Sequence, residues 1–299
     1  MAAMHQIGIT CPTVASSRFV AFAVVDEVSL RKCVARIPDI VGEVSQLGLG
    51  SALTATVALS AGLFVRLGRA TPPQLKAFVP LVKDAREMPS TQADLLLHIN
   101  GERRDLCFEL LRRVRELLGA AVDVVEDVDA FRYLDERDLT GFIDGTENPE
   151  GEERVAAALT GMEQGEFAEG SYVLAQRYEH HLARFAALTQ AQQERVFGRT
   201  KPDSVELVDK PEDAHISRVV IEEDGEELEI VRHSLPYGDA DVAGLFFLAY
   251  CKDLTTFEKM LARMMGVEGD GKHDRLLGYT SAKSGHFFFA PSVEYLRTL

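Results

Sequence analysis

The chain contains no tryptophan, only four cysteines, and fewer bases than acids. The missing indole excludes any chemistry that depends on one. Cys11, Cys33, Cys107 and Cys251 lie far apart and form no CxxC pair. That spacing excludes a zinc ribbon and argues against a disulfide framework; it fits reduced thiols in a cytosolic protein. Lysine and arginine total 32 against 47 acids, a net charge of −15. No basic stripe is present to meet phosphates, so nucleic acid and anionic membrane surfaces are poor partners. Nor does any run reach the roughly 18 apolar residues of a membrane span. The longest candidate, 53–67, is interrupted by Thr, Ser, Gly and Arg66. The opening "MAAMHQIGIT" has no basic n-region, apolar h-region or twin arginine, so export is not expected and a cytoplasmic location is.

What is present is an ordinary globular balance, 46% hydrophobic and 26% charged over 299 residues. Residues 19–25 read as a strand, 30–47 as a helix and 56–65 as another strand. "ADLLLHI" at 93–99 is a strand that turns at Asn100-Gly101 into a helix over 102–118. In that helix Leu106, Leu110, Val114 and Leu117 recur at three- and four-residue intervals and form one buried face. A further strand follows over 122–133. The second half repeats the grammar: a strand at 171–175, a helix over 179–196, an apolar strand "GLFFLAY" at 244–250, a helix over 255–265 and a closing "HFFFAP". "ADLLLHINGERRDLCFELLRRV" parallels "AGLFFLAYCKDLTTFEKMLARM": each is an apolar strand, a charged turn and an amphipathic helix. The expected fold is α+β, two ferredoxin-like split βαβ units in one chain, 1–145 and 146–299, with the Gly/Glu-rich segment 145–170 as their joint.

The residues able to carry chemistry are few. "GFIDGTENPEGEE" at 141–153 joins an apolar run to Asp144-Gly145 and Asn148-Pro149, both turn formers. Turn chemistry alone makes it a solvated acidic loop. "HISRVVIEEDGEELEIVRHS" reads as two β segments around Asp224-Gly225. Strand alternation there puts Leu228, Ile230, Arg232 and Ser234 on one face, with His233 on the other. On strand chemistry alone Arg232 is an ordinary surface arginine, and His215 an ordinary structural histidine. His180 and His181 read as solvated helix positions, and His98 as buried strand filling. The Gly-rich "GVEGDGK" at 266–272 lacks P-loop spacing.

Taken together, "GFIDGTENP", "DAHISR" and "IVRHS" resemble the dye-decolourising peroxidases, and within them the bacterial YfeX-like subgroup. The GxxDG signature falls on Gly141, Asp144 and Gly145, and the resemblance extends over nearly the whole chain. It implies a haem b enzyme that reduces hydrogen peroxide through high-valent iron and oxidises dyes, phenolics or porphyrinogen-like donors by single electrons. His215 would be the axial ligand of the haem iron. Asp144 would be the distal carboxylate and Arg232 the distal cation, with Arg232 also meeting the cofactor. Ser234 is a third distal group where many relatives carry Asn. Asp274, in "KHDRLLGY", is the candidate acceptor for the ring N–H of His215. Ile143, Gly145, Thr146 and Leu248 are expected to line the cofactor. With tryptophan absent, any radical relay to bulky dyes falls to the seven tyrosines.

An unbroken hairpin would set His215 opposite Ser234, whereas the implied chemistry needs them on opposite haem faces. Pairing is therefore expected to end before His215, in the approach after Pro211. The resemblance also implies a homo-oligomer. The chain lacks a long Gly/Pro-rich tail of the kind some relatives use for packaging into a protein shell, so packaging is not expected. The alternatives are a haem-handling protein without peroxide turnover, and a non-haem module binding a hard divalent cation through the acids of 147–153.

Overall fold

The computed structural model describes residues 4–12 and 14–299. Its frame is one ten-stranded antiparallel sheet. In the first half the strands are Ser16–Val24, Leu53–Leu59, Leu95–Gly101 and Val122–Phe131. They lie side by side in the order fourth, first, third, second. In the second half Ser171–His180 comes first, and the second strand is the broken pair Val231–Arg232 and Leu235–Gly238. Ala243–Cys251 is third and His286–Ala290 fourth. Their spatial order is the same. The repeated grammar of the sequence is thus a repeated ferredoxin-like topology.

The halves meet at two thin seams. Tyr237 pairs with Ala130 at one and Phe289 with Leu59 at the other, and these close the strands into a ring. Alternation along each strand then divides inside from outside. Phe19, Ala21, Leu96, Val128, Ala130, Val173, Ala175, Phe246, Leu248 and Tyr250 fill the interior of the ring. In the first half the opposite face, including Val20, Phe22, Leu97 and Ile99, packs directly against helices, among them Arg104–Leu118 with its Leu106, Leu110 and Val114. In the second half the equivalent outer face is covered at a distance. Leu174, Gln176, Tyr178, Leu245 and Phe247 line a cavity whose far wall is helical.

Several expected elements differ. The helix over 30–47 is two, Glu27–Val34 and Ile37–Ser45, with Pro38 in the first turn of the second, where its missing N–H does no harm. The strand over 56–65 stops at Leu59; Ser60 then caps a helix, Ala61–Arg66, by accepting the Leu63 N–H at 3.1 Å. The helix over 179–196 is a strand end followed by Leu182–Ala186 and Gln190–Phe197, the latter opened by a Thr189/Gln192 capping box. His180 is therefore no solvated helix position: it ends a strand, with Thr280 and Asp138 on its two ring nitrogens at 2.9 and 3.0 Å. The acidic stretch at 147–153 is not all linker, because Glu152 and Glu153 occupy the first turn of the helix Gly151–Ala158, where the dipole favours them. Glu147 is ion-paired with Arg199.

The largest departure is the hairpin. Asp224-Gly225 does make a two-residue turn, both residues at positive φ, but it joins only Glu222–Glu223 to Glu226–Glu227. Val231–Arg232 pairs instead with Ala243–Cys251, and His215 opens a short helix, His215–Val219. Tertiary contacts override the β-branched run. Arg263 donates to the carbonyls of Ser217 and Val220 at 2.8 and 2.9 Å, and Arg218 donates to the Arg263 carbonyl at 3.0 and 2.9 Å. These bonds fasten the helix to Leu254–Met265.

Candidate active site

His215 sits at the first position of its helix, after the turn in which the Ala214 N–H donates to the Pro211 carbonyl at 3.0 Å. Its Nδ1 lies 2.6 Å from Oδ2 of Asp274, a fully buried carboxylate. The other oxygen of Asp274 accepts the Leu276 N–H at 2.8 Å, so the carboxylate is fixed from both sides. A carboxylate can only accept, so Nδ1 carries a proton, and in the neutral ring Nε2 keeps its lone pair. Among the described residues Nε2 has no hydrogen-bond partner. The imidazole thus enters the cavity with a free nitrogen donor.

Ile216, Val219, Val220, Met260, Leu261, Met264 and Leu276 make the helical wall around it. Leu174, Leu245 and Phe247 make the sheet wall, so the cavity is mostly apolar with an imidazole on one side. Asp144, Gly145 and Arg232 line it too. The same three residues line a second, more polar pocket together with Ser234, Arg154, Arg132, Tyr133 and Glu150. They form the boundary between an apolar chamber and a polar approach.

Two local features hold that boundary. Gly141 and Gly145 take φ of 85° and 78°, a left-handed conformation that side chains other than Gly rarely adopt, and they turn the chain on either side of Asp144. Asn148 then clamps the loop to the sheet: its Oδ1 accepts the Arg232 N–H and its Nδ2 donates to the Arg232 carbonyl, both at 2.8 Å. Asn148 was legible only as half of a turn dipeptide, because its partner lies 84 positions away. Asp144 is half-buried and lines both the cavity and the polar pocket. Burial pushes its carboxyl above the ordinary value of 3.8, and the charge of Asp138 adds to this, against the opposing pull of Arg232. The Arg232 Nε is buried and has no partner among the described residues. Ser234 is buried, and its Oγ accepts the Leu248 N–H at 3.3 Å, which leaves the hydroxyl proton free to donate.

Of the expected lining residues, Ile143, Gly145 and Thr146 border the cavity and Leu248 does not. Leu248 is fully buried inside the strand ring. The strand Ala243–Cys251 alternates, so its cavity residues are Leu245 and Phe247, and Leu248 points the other way. The parity of "GLFFLAY" was readable in the sequence; which parity faces the cavity was not.

The N-terminal model of the Dyp-type peroxidases matches residues 6–132, and the C-terminal model matches residues 135–295. The chain belongs to the Dyp-type peroxidase family. It is 40% identical over 269 residues to the dye-decolorizing peroxidase of Mycolicibacterium paratuberculosis, covering 87% of this chain and 76% of that one. Among solved structures, a dye-decolorizing protein from V. cholerae superposes with a TM-score of 0.94 at 42% identity, covering 98% of this chain and 99% of that chain. A variant of DypB from Rhodococcus jostii RHA1, solved in complex with heme, superposes at 0.95 with 37% identity, covering 97% of each chain. These matches carry the family; the YfeX-like subgroup is a resemblance of motif alone. Among the described residues of this Dyp-type peroxidase, no helix is long and apolar enough to cross a membrane. Among the described residues, no three or more His, Cys, Asp or Glu side chains gather into a group that could hold a metal ion.

Proposed function

We propose that this chain is a haem peroxidase in which His215 holds the iron, Asp144 moves the peroxide proton and Arg232 stabilises the departing oxygen. The observation that carries the reading is the His215–Asp274 pair at 2.6 Å, set beneath an apolar chamber that is bounded by Asp144 and Arg232. The residues present fit haem b. A neutral imidazole with a free Nε2 is an iron ligand, and a carboxylate on its Nδ1 raises the basicity of that ligand. The walls offer Leu245, Phe247, Met260 and Met264 to a flat apolar macrocycle. Bound haem supplies the redox chemistry, cleaving the peroxide O–O bond and accepting single electrons from donors.

The protein's own part is protonic and electrostatic. The Asp144 carboxylate takes the proton from one peroxide oxygen and returns it to the other. Its raised pKa suits a group that must both accept and release a proton. Arg232 places a permanent positive charge beside the oxygen on which negative charge develops. Ser234 donates its free hydroxyl proton to a water or the peroxide in the polar pocket, and that pocket is the route by which peroxide arrives. Thr146, Ile143 and Gly145 complete the chamber wall.

The donors are dyes, phenolics or porphyrinogen-like aromatics. The chain works in the cytoplasm, as its four free cysteines support, and as a homo-oligomer, to which the exposed Val124 and Val125 lend an apolar surface. The chain works as two functional units, 1–145 and 146–299, a division that the repeated strand order supports, with the haem ligand in the second. An absorption spectrum of purified protein with added haemin tests the cofactor, and stopped-flow mixing with peroxide tests the reaction. We expect a Soret band that shifts within the mixing experiment. Absence of the band ends the reading, and haem binding without a peroxide-driven change replaces it with a haem-handling role.

A further inference from the structure

The interior of the strand ring is not wholly apolar. Tyr250 and His98 face each other across it, with the phenol oxygen 2.8 Å from the imidazole Nδ1, and both are buried. The bond comes at a cost, because the remaining nitrogen, Nε2 of His98, is buried with no partner among the described residues. Phenylalanine and leucine would fill the same volume without that penalty. Burial and the neighbouring His233 hold His98 well below 6.5, so the ring is neutral, and in its Nε2–H tautomer the Nδ1 lone pair accepts the phenol proton.

A tyrosine gives up an electron readily only when its phenol proton has somewhere to go, and the other buried hydroxyls meet no base. Tyr178 donates to the amide oxygen of Gln176 at 3.0 Å and Tyr237 to a backbone carbonyl at 3.1 Å, neither of which is a base. Tyr172 accepts from the Gln74 N–H at 3.4 Å. Among the described residues, Tyr250 is the tyrosine whose hydroxyl meets a nitrogen base.

The pair is also coupled to the haem chamber. Phe19 stacks on His98 at 4.9 Å and on Phe246 at 4.2 Å, and Phe246 lies between the chamber residues Leu245 and Phe247. The His233 ring sits 5.5 Å from both His98 and Tyr250, on the residue between Arg232 and Ser234.

We propose that Tyr250 and His98 form a proton-coupled redox site that holds one oxidising equivalent inside the ring when no donor is present. This rests on the haem peroxidase reading above, which supplies the oxidant. Tyr250 loses one electron to the peroxide-oxidised cofactor. Its O–H bond breaks as an N–H bond forms at Nδ1 of His98, giving a neutral phenoxyl beside an imidazolium. A later one-electron donor restores the electron, and the proton returns across the same hydrogen bond.

The test is freeze-quench electron paramagnetic resonance of the haem-loaded protein mixed with peroxide in the absence of donor, with the Soret band followed in parallel. We expect a tyrosyl radical in the native protein, its loss in Tyr250→Phe, and at least about 10²-fold slower formation in His98→Gln, which has no basic nitrogen. A native Soret change with no tyrosyl radical, or an undiminished radical in Tyr250→Phe, overturns the site and leaves the peroxidase reading standing. No Soret change at all removes both. Should Tyr250→Phe fail to fold, native protein grown on ring-deuterated tyrosine, examined by proton ENDOR, decides the matter. One exchangeable proton coupled to the phenoxyl oxygen supports the site, and its absence overturns it.

Discussion

Asp144, Arg232 and Asn148 lie together at the cavity boundary, and the proposed mechanism gives each a distinct expected signature. Replacing Arg232 by Ala removes the positive charge beside the departing oxygen, and the peroxide step should slow by roughly 10²–10³-fold in stopped-flow mixing. Asn148 touches only the backbone of Arg232. Asn148→Ala should therefore keep haem and its Soret position while slowing the same step. Equal rates in native and variant protein would make the clamp irrelevant to catalysis. Asp144 carries a stability consequence as well. Its folded pKa lies above the ordinary value, so the folded state binds the proton more tightly than the unfolded one, and stability falls as pH rises through that folded pKa. Asp144→Asn should raise Tm at neutral pH and lose that advantage in acid, while its peroxide rate loses the low-pH limb that protonation of Asp144 imposes. A thermal melt and a pH–rate profile read the two effects separately. Residue chemistry alone left Asp144, His215 and Arg232 as an ordinary turn acid, histidine and arginine; they stood out in the sequence only through the family resemblance of their three motifs taken together. Asn148 did not stand out, because a side-chain clamp on another residue's backbone leaves no residue-type signature on the partner.

At the scale of the element, the segment that matters most is the least stable alone. A helix as short as His215–Val219 has no independent stability in water. Its sequence, "HISRV", carries β-branched residues that favour a strand, and for that reason it read as part of a hairpin. What makes it a helix is Arg263, reaching from Leu254–Met265 to the Ser217 and Val220 carbonyls. Arg263→Met should loosen the helix that carries the proposed iron ligand. Faster transfer of haem to an apo-globin acceptor is the expected outcome, and unchanged haem loss would mean the other clamps suffice. The long amphipathic helices were legible because their apolar period is written locally, as in Arg104–Leu118. The short ones after His180 were not, since capping and burial decide them.

For the whole molecule, the strand ring sets a limit on acid tolerance. His233 is held down to about 3 by burial and by the charge of Arg154, and His98 is held well below 6.5. Unfolded, both histidines bind protons at mildly acid pH; folded, they do not. Stability should therefore fall as pH drops below 6.5, by up to about 1.4 kcal/mol per pH unit for each of the two. Denaturant titrations at stepped pH check this, and His233→Gln should flatten the slope. The duplication of the fold was visible in the sequence as a repeated strand–turn–helix pattern. The closure of both halves into one ring was not, because it depends on edge pairings between residues more than a hundred positions apart.

Those two thin seams have a further meaning for how such a chain can exist at all. Val122–Phe131 and Leu53–Leu59 would be open edges in the first half alone, and Leu235–Gly238 and His286–Ala290 in the second. An open edge offers unpaired N–H and C=O groups to any passing strand and invites aggregation. Each half bridges an edge of the other at both seams, so neither has two wholly free edges, and either half made separately should precipitate or dimerise through the edges left open.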